Sequence, residues 1–147
     1  MDIEIIHELF RIDIYGFSGT AVNKDYSGTA FKLMGKMWQT VQSNNIKNKG
    51  LNIWVYEQHE KVFAGVELYN PPDINTGLEH KLFDLTNYAY YKHIGPYNLI
   101  KQAGQNMRAA LKKKGLETNF PYVEIYGHWT NDEMKLETEL LMSLADK

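Results

Sequence analysis

The 147-residue sequence has no cysteine. Disulfides, thiolate metal sites and cysteine nucleophiles are therefore excluded, and nothing points to an oxidising compartment. No uninterrupted apolar run reaches the ~18 residues of a membrane-spanning helix, and Met1-Asp2-Ile3-Glu4 lacks the basic start and apolar stretch of a secretory signal. A cytoplasmic location without membrane contact is the expectation. Charge of one sign is also scarce. The formal net charge is −2 and Lys112-Lys113-Lys114 is the sole basic run, so there is no electrostatic footprint for direct binding to a nucleic-acid backbone.

Chemical motifs are equally thin. His7, His59, His80, His93 and His128 are scattered without an HExxH sequence or any i, i+4 pair, so no metal site is expected. His93, just before Gly95-Pro96, reads as a structural residue at a strand-to-helix turn. Ser18 and Ser143 lack a nucleophile elbow, and Gly16-Phe17-Ser18-Gly19 is too short for a phosphate loop. No cofactor is implied, and acyl or phosphoryl transfer is not expected.

What remains is ordinary globular composition, 44% hydrophobic and 23% charged, in a length that suits one domain with one core. Pro71-Pro72 lies near the midpoint, and two consecutive residues without amide donors break both helix and sheet. It divides the chain into halves of about 1–70 and 73–147. The first half reads as a strand at 10–17, a helix at 27–46, and strands at 52–56 and 61–69. The second reads as a strand at 82–93, a helix at 96–114, and strands at 121–129 and 136–144. Each half is β-α-β-β, which predicts a duplicated α+β domain. The helices carry apolar faces at Phe31, Met34, Trp38 and Val41 and at Ile100, Ala103, Met107 and Leu111. Both are expected to stop at a glycine, in Lys49-Gly50-Leu51 and Lys114-Gly115-Leu116.

Alternation within the strands carries the functional argument. In 121–129, Val123 and Ile125 share one face, and Tyr122, Glu124, Tyr126 and His128 share the other. Ile53 and Val55 likewise oppose Trp54 and Tyr56. If the helices cover the aliphatic face, the other face is a cleft of aromatic rings with carboxylates among them. Rings attract cations by ~0.5–2 kcal/mol each, and a carboxylate supplies the opposite charge. The pattern therefore suits a flat, lipophilic cation. A Glu buried there without a basic neighbour has a raised pKa until a cation arrives. Val66-Glu67-Leu68-Tyr69 echoes Val123-Glu124-Ile125-Tyr126, so spacing alone leaves Glu67 and Glu124 both open for the role.

The segment from Tyr88-Ala89-Tyr90-Tyr91-Lys92-His93-Ile94-Gly95-Pro96-Tyr97 through Gly115 to Pro121-Tyr122-Val123-Glu124-Ile125-Tyr126 resembles the GyrI-like effector-binding family, as does Phe63-Ala64-Gly65-Val66-Glu67-Leu68. That family includes the drug-sensing domains of bacterial multidrug-responsive transcription activators and free-standing single-domain members. The resemblance implies a duplicated β-α-β-β fold, an antiparallel sheet with two helices on one face, and a pocket on the other for diverse lipophilic cations. By motif it places the family's buried acid on Glu124, with Tyr126 beside it, and leaves Glu67 secondary. Trp54, Tyr56 and Tyr90 complete the expected aromatic walls. Strand-like sequence beginning by Phe10 leaves no room for a DNA reader, so a free-standing binder of a small cationic aromatic ligand is expected. Two alternatives accompany it: a small-molecule hydrolase with Glu124 as general base, and an inhibitor of a protein partner such as a topoisomerase.

Overall fold

A computed structural model describes residues 1–73 and 75–146; Ile74, just past the joint expected at Pro71-Pro72, and Lys147, the last residue of the second half, lie outside them. The elements are β1 (Glu4–Ile6), β2 (Phe10–Thr20), α1 (Tyr26–Ser43), β3 (Asn52–Glu57), β4 (Lys61–Val66), β5 (Glu79–Leu85), β6 (Tyr88–Ile94), α2 (Ile100–Lys113), β7 (Thr118–Tyr126) and β8 (Glu137–Leu144). The fold is α+β. Its strands form one antiparallel sheet in the order β1-β6-β8-β7-β3-β4-β2-β5. Read from either end, that order interchanges β2-α1-β3-β4 with β6-α2-β7-β8. The antiparallel pair β3–β7 sits at the middle, with Val55 opposite Val123.

The sheet cannot be flat. β5 and β6 stand six strand spacings apart, roughly 29 Å in a flat sheet. Only Thr86 and Asn87 join them, and three peptide steps reach at most about 11 Å. The three-residue link from β1 to β2 imposes the same demand. The sheet therefore curls until its edges approach, and the Phe10 ring lies 6.3 Å from that of Tyr88. Inside the curl, Ile12, Ile14, Ile53, Val55, Phe63, Phe83, Leu85, Val123, Ile125 and Leu141 form one buried cluster.

Both helices pack on the outer face, as expected of a pair that shares one side, but the face is the reverse of the one expected. Ala30 of α1 and Ala103, Met107 and Leu111 of α2 share a cluster with Trp54, Tyr56 and Tyr122, the aromatic side of β3 and β7. Alternation separates two faces without saying which one a helix covers. Here curling buries the aliphatic face by itself, and the helices fall on the rings. Small residues make room for them: a Cβ added at Gly104 would lie 3.7 Å from Tyr122 Oη.

Several local expectations also shift. The buried positions of α2 are those expected, whereas in α1 they are Ala30, Met37 and Val41, with Phe31 exposed. The strand expected at 82–93 is two strands broken at Thr86-Asn87. β7 starts earlier and ends at Tyr126, leaving His128 and Trp129 outside it. At the end of α2, Leu116 N–H bonds Leu111 O and Gly115 N–H bonds Lys112 O, with Gly115 at φ 72°. α1 closes the same way, but Asn45 at φ 50° takes the left-handed position through Ile46 N–H to Val41 O and Asn45 N–H to Gln42 O. Gly50 is not the stop. His93 does serve the turn after β6: it is buried, and its Nε2 lies 3.1 Å from Pro96 O.

The close β2–β4 contact depends on Gly16, because a Cβ there would fall on the Ala64 carbonyl oxygen. Gly16→Ala is expected to cost about 3 kcal/mol or more in urea unfolding. Gly35→Ala, in α1 with nothing within 4 Å of the added Cβ, is expected to stabilise by about 1 kcal/mol. Equal effects at the two positions would contradict this account of the packing.

Candidate functional site

β3 and β7 bring the site together by register. Tyr56 stands opposite Tyr122 and Trp54 opposite Glu124, and Tyr126 follows two residues along the same face. Glu124 is 7% exposed. Its Oε1 accepts hydrogen bonds from Tyr56 Oη at 3.0 Å and Tyr126 Oη at 2.8 Å, and its Oε2 accepts one from Tyr122 Oη at 2.9 Å. Trp54 packs on Tyr126 with ring centroids 4.7 Å apart.

Each helix entrance adds a ring. Tyr26, the first residue of α1, meets Tyr56 edge-on at 5.8 Å and 81°, and Tyr97, in the turn before α2, meets Tyr126 edge-on at 5.7 Å and 82°. Arg108 of α2 lies over Tyr122, 5.1 Å from the ring centroid. The result is a carboxylate enclosed by rings between the sheet and the two helix entrances.

Two effects oppose each other at Glu124. Burial disfavours the charged carboxylate, while the three hydroxyls and the field of Arg108 favour it; desolvation is the larger, and the pKa is raised. Hydrogen bonds to a charged group contribute ~1.5–3 kcal/mol each, against several kcal/mol for removing an ion from water. Burial, followed by the field of Glu124, pushes all three tyrosine hydroxyls up. They stay protonated and act only as donors to the acid. None of the ion pairs among the described residues involves Glu124.

Of the residues named from sequence, Glu124, Tyr126, Trp54 and Tyr56 come together and Tyr90 does not. Tyr90 lies in register with Leu141 on the inner face and donates to Glu139 Oε2 at 2.6 Å, in a groove of about 290 Å³ lined also by Glu4, Ile6, Phe10 and Tyr88. A single step along β6 decides this. Tyr91 aligns with Leu140, which aligns with Glu124. Glu67 is also elsewhere, just past β4 and half exposed, 3.6 Å from Lys49 Nζ. Tyr122 completes the hydroxyl set and was legible in the alternation of β7. Tyr26, Tyr97 and Arg108 were not, because their places follow from where the helices land. Among the described residues no group of three or more His, Cys, Asp or Glu is placed to hold a metal, and no helix is long and apolar enough to cross a membrane.

The raised pKa sets a sign for stability. A carboxyl whose folded pKa exceeds its unfolded value contributes stability that is full below the unfolded pKa and is lost as pH rises through the folded one. Glu124→Gln should therefore raise the melting temperature of the ligand-free protein at pH 7 and change it less near pH 4.5. Thermal unfolding of both proteins across that range measures the difference. A gap that narrows with rising pH would contradict the assignment.

No protein-family model and no curated protein matches the sequence. Solved structures do. SAV2435 bound to tetraphenylphosphonium is 14% identical, over 99% of this chain and 94% of that one, with a TM-score of 0.66. The EcmrR C-terminal domain is 16% identical over 100% of both chains, with a TM-score of 0.71. A hydrolase from Listeria innocua is 12% identical over 95% of this chain and 93% of that one, with a TM-score of 0.53. At such identities the likeness is one of fold, and the fold is that of the GyrI-like effector-binding domains, which the motifs of this sequence resemble.

Proposed function

We propose that the protein binds small lipophilic aromatic cations reversibly, with Glu124 as their counter-ion. The observation that carries this reading is a carboxylate 93% buried among aromatic side chains and bonded only to neutral hydroxyls. Such a group costs free energy when ionised and unpartnered, and an arriving cation offsets that cost. The chemistry of the surroundings suits the same guest: Trp54, Tyr56 and Tyr126 cluster about the acid, and aromatic rings attract positive charge. The ligand in the SAV2435 structure, tetraphenylphosphonium, is of this chemical class. Tyr97, 40% exposed and in T-shaped contact with Tyr126, is the ring of this set that reaches the surface.

A second reading makes Glu124 a general base for hydrolysis with Tyr126 as donor, and the likeness to the Listeria innocua hydrolase supports it. Both Glu124 oxygens already accept tyrosine hydroxyls, which favours binding over activation of water. Partners beyond the small molecule follow no feature of the site.

Titration of tryptophan fluorescence with tetraphenylphosphonium is expected to show saturable binding in the micromolar range. Losing a charge-assisted contact of ~1.5–3 kcal/mol should make Glu124→Gln roughly 10- to 150-fold weaker. Affinity should also fall as pH drops through the raised pKa of Glu124, because the protonated acid offers no counter-charge. Equal affinity for a neutral isostere, or a Glu124→Gln effect within twofold, would refute the counter-ion role. Multiple turnovers of a labelled ester, abolished by Glu124→Gln, would put hydrolysis first.

A further inference from the structure

Only three buried side-chain nitrogen or oxygen atoms among the described residues have no hydrogen-bond partner: Trp54 Nε1, Asn87 Oδ1 and Thr138 Oγ1. Two of them lie in one patch of the helix-covered face. Trp54 is the cross-strand neighbour of Glu124, and Thr138 is that of Tyr126. Trp54 is 8% exposed and Thr138 fully buried. Both therefore flank the ring whose hydroxyl bonds Glu124.

An unmet buried donor costs about 1–3 kcal/mol, and folded proteins leave few of them. The indole N–H is a donor only, and packing holds it in place: the Trp54 ring is tilted 59° against Tyr126 at 4.7 Å. Phenylalanine in the same position would present a smaller ring with no unmet donor. Glu124 does not relieve that cost: its three hydrogen bonds come from tyrosine hydroxyls, and the indole N–H has no partner within hydrogen-bond distance. The patch thus holds two complementary features side by side, an acid lacking a cation and a donor lacking an acceptor.

We infer that the ligand of this site is an organic cation that also carries a hydrogen-bond acceptor, such as a carbonyl oxygen or ring nitrogen, next to its charge, and that Trp54 Nε1 is the donor that selects it. This rests on the proposed cation-binding reading and narrows it. Tetraphenylphosphonium, which has no acceptor, engages the acid and the rings alone. A ligand with both features also satisfies the indole. Trp54 is then a specificity residue, separate from the counter-ion.

Two probes that differ in a single group test this: phenacyltrimethylammonium, with a carbonyl beside the cationic arm, and phenethyltrimethylammonium, with a methylene in its place. Calorimetric titration of the wild-type protein is expected to show the carbonyl cation binding about five- to tenfold tighter. Trp54→Phe should erase that preference, lowering affinity for the carbonyl cation by about five- to tenfold more than affinity for the methylene cation, which loses only part of an aromatic wall. Preference for the carbonyl cation that survives Trp54→Phe, or equal wild-type affinities, would overturn the inference while leaving cation binding intact. Failure of both probes and of tetraphenylphosphonium to bind would instead overturn the cation-binding reading. A Trp54→Phe protein that weakens both probes alike keeps the preference, and would leave Trp54 as an aromatic wall with no part in selecting the acceptor.

Discussion

The site depends on one balance, the cost of burying the Glu124 carboxylate against what three tyrosine hydroxyls return. Hydroxyls are weaker partners than a basic side chain, so the acid is held in place without being neutralised. Arg108, over the Tyr122 ring, contributes less to the charged form than the three hydroxyls do. A Lys or Arg in contact would have made a finished ion pair; on the proposed reading, the tyrosines hold the geometry and leave the charge open for a ligand.

The architecture that permits this comes from the curl of the sheet. Because the β5–β6 and β1–β2 links draw opposite edges together, the inner face buries its aliphatic residues without a helix. The outer face is then free to carry large polar-tipped rings, and the two helices cover its flanks while their entrances bring Tyr26 and Tyr97 over the middle. β3 and β7, one from each half, meet there. Neither half alone contains Tyr56 together with Glu124, so the site exists only where the two units join.

The parts that follow from local periodicity were legible in the sequence. The core face of α2, the β-α-β-β order and the shared face of Tyr122, Glu124 and Tyr126 all come from spacing. What depends on long-range closure was not. The covered face was read in reverse because alternation marks two sides and cannot say which one the sheet rolls around. Tyr90 was misplaced by one position, since in a strand a single step exchanges the inner and outer faces. Glu67 looked like Glu124 because four residues matched locally, but it lies outside the strands, where water and Lys49 solvate it. Gly50 drew attention as a helix stop, though Asn45, also able to adopt a left-handed conformation, ends the helix five residues earlier.

The central proposal is that Glu124, its pKa raised by burial, is the counter-ion of an external positive charge. Carbon-13 NMR titration of the Glu124 side-chain carboxyl, with and without saturating tetraphenylphosphonium, tests it most directly. The account predicts a midpoint above the ordinary glutamate range in the free protein and a marked fall of that midpoint when the cation is bound. A carboxyl that titrates at its ordinary value, or whose midpoint the cation leaves unchanged, would contradict it.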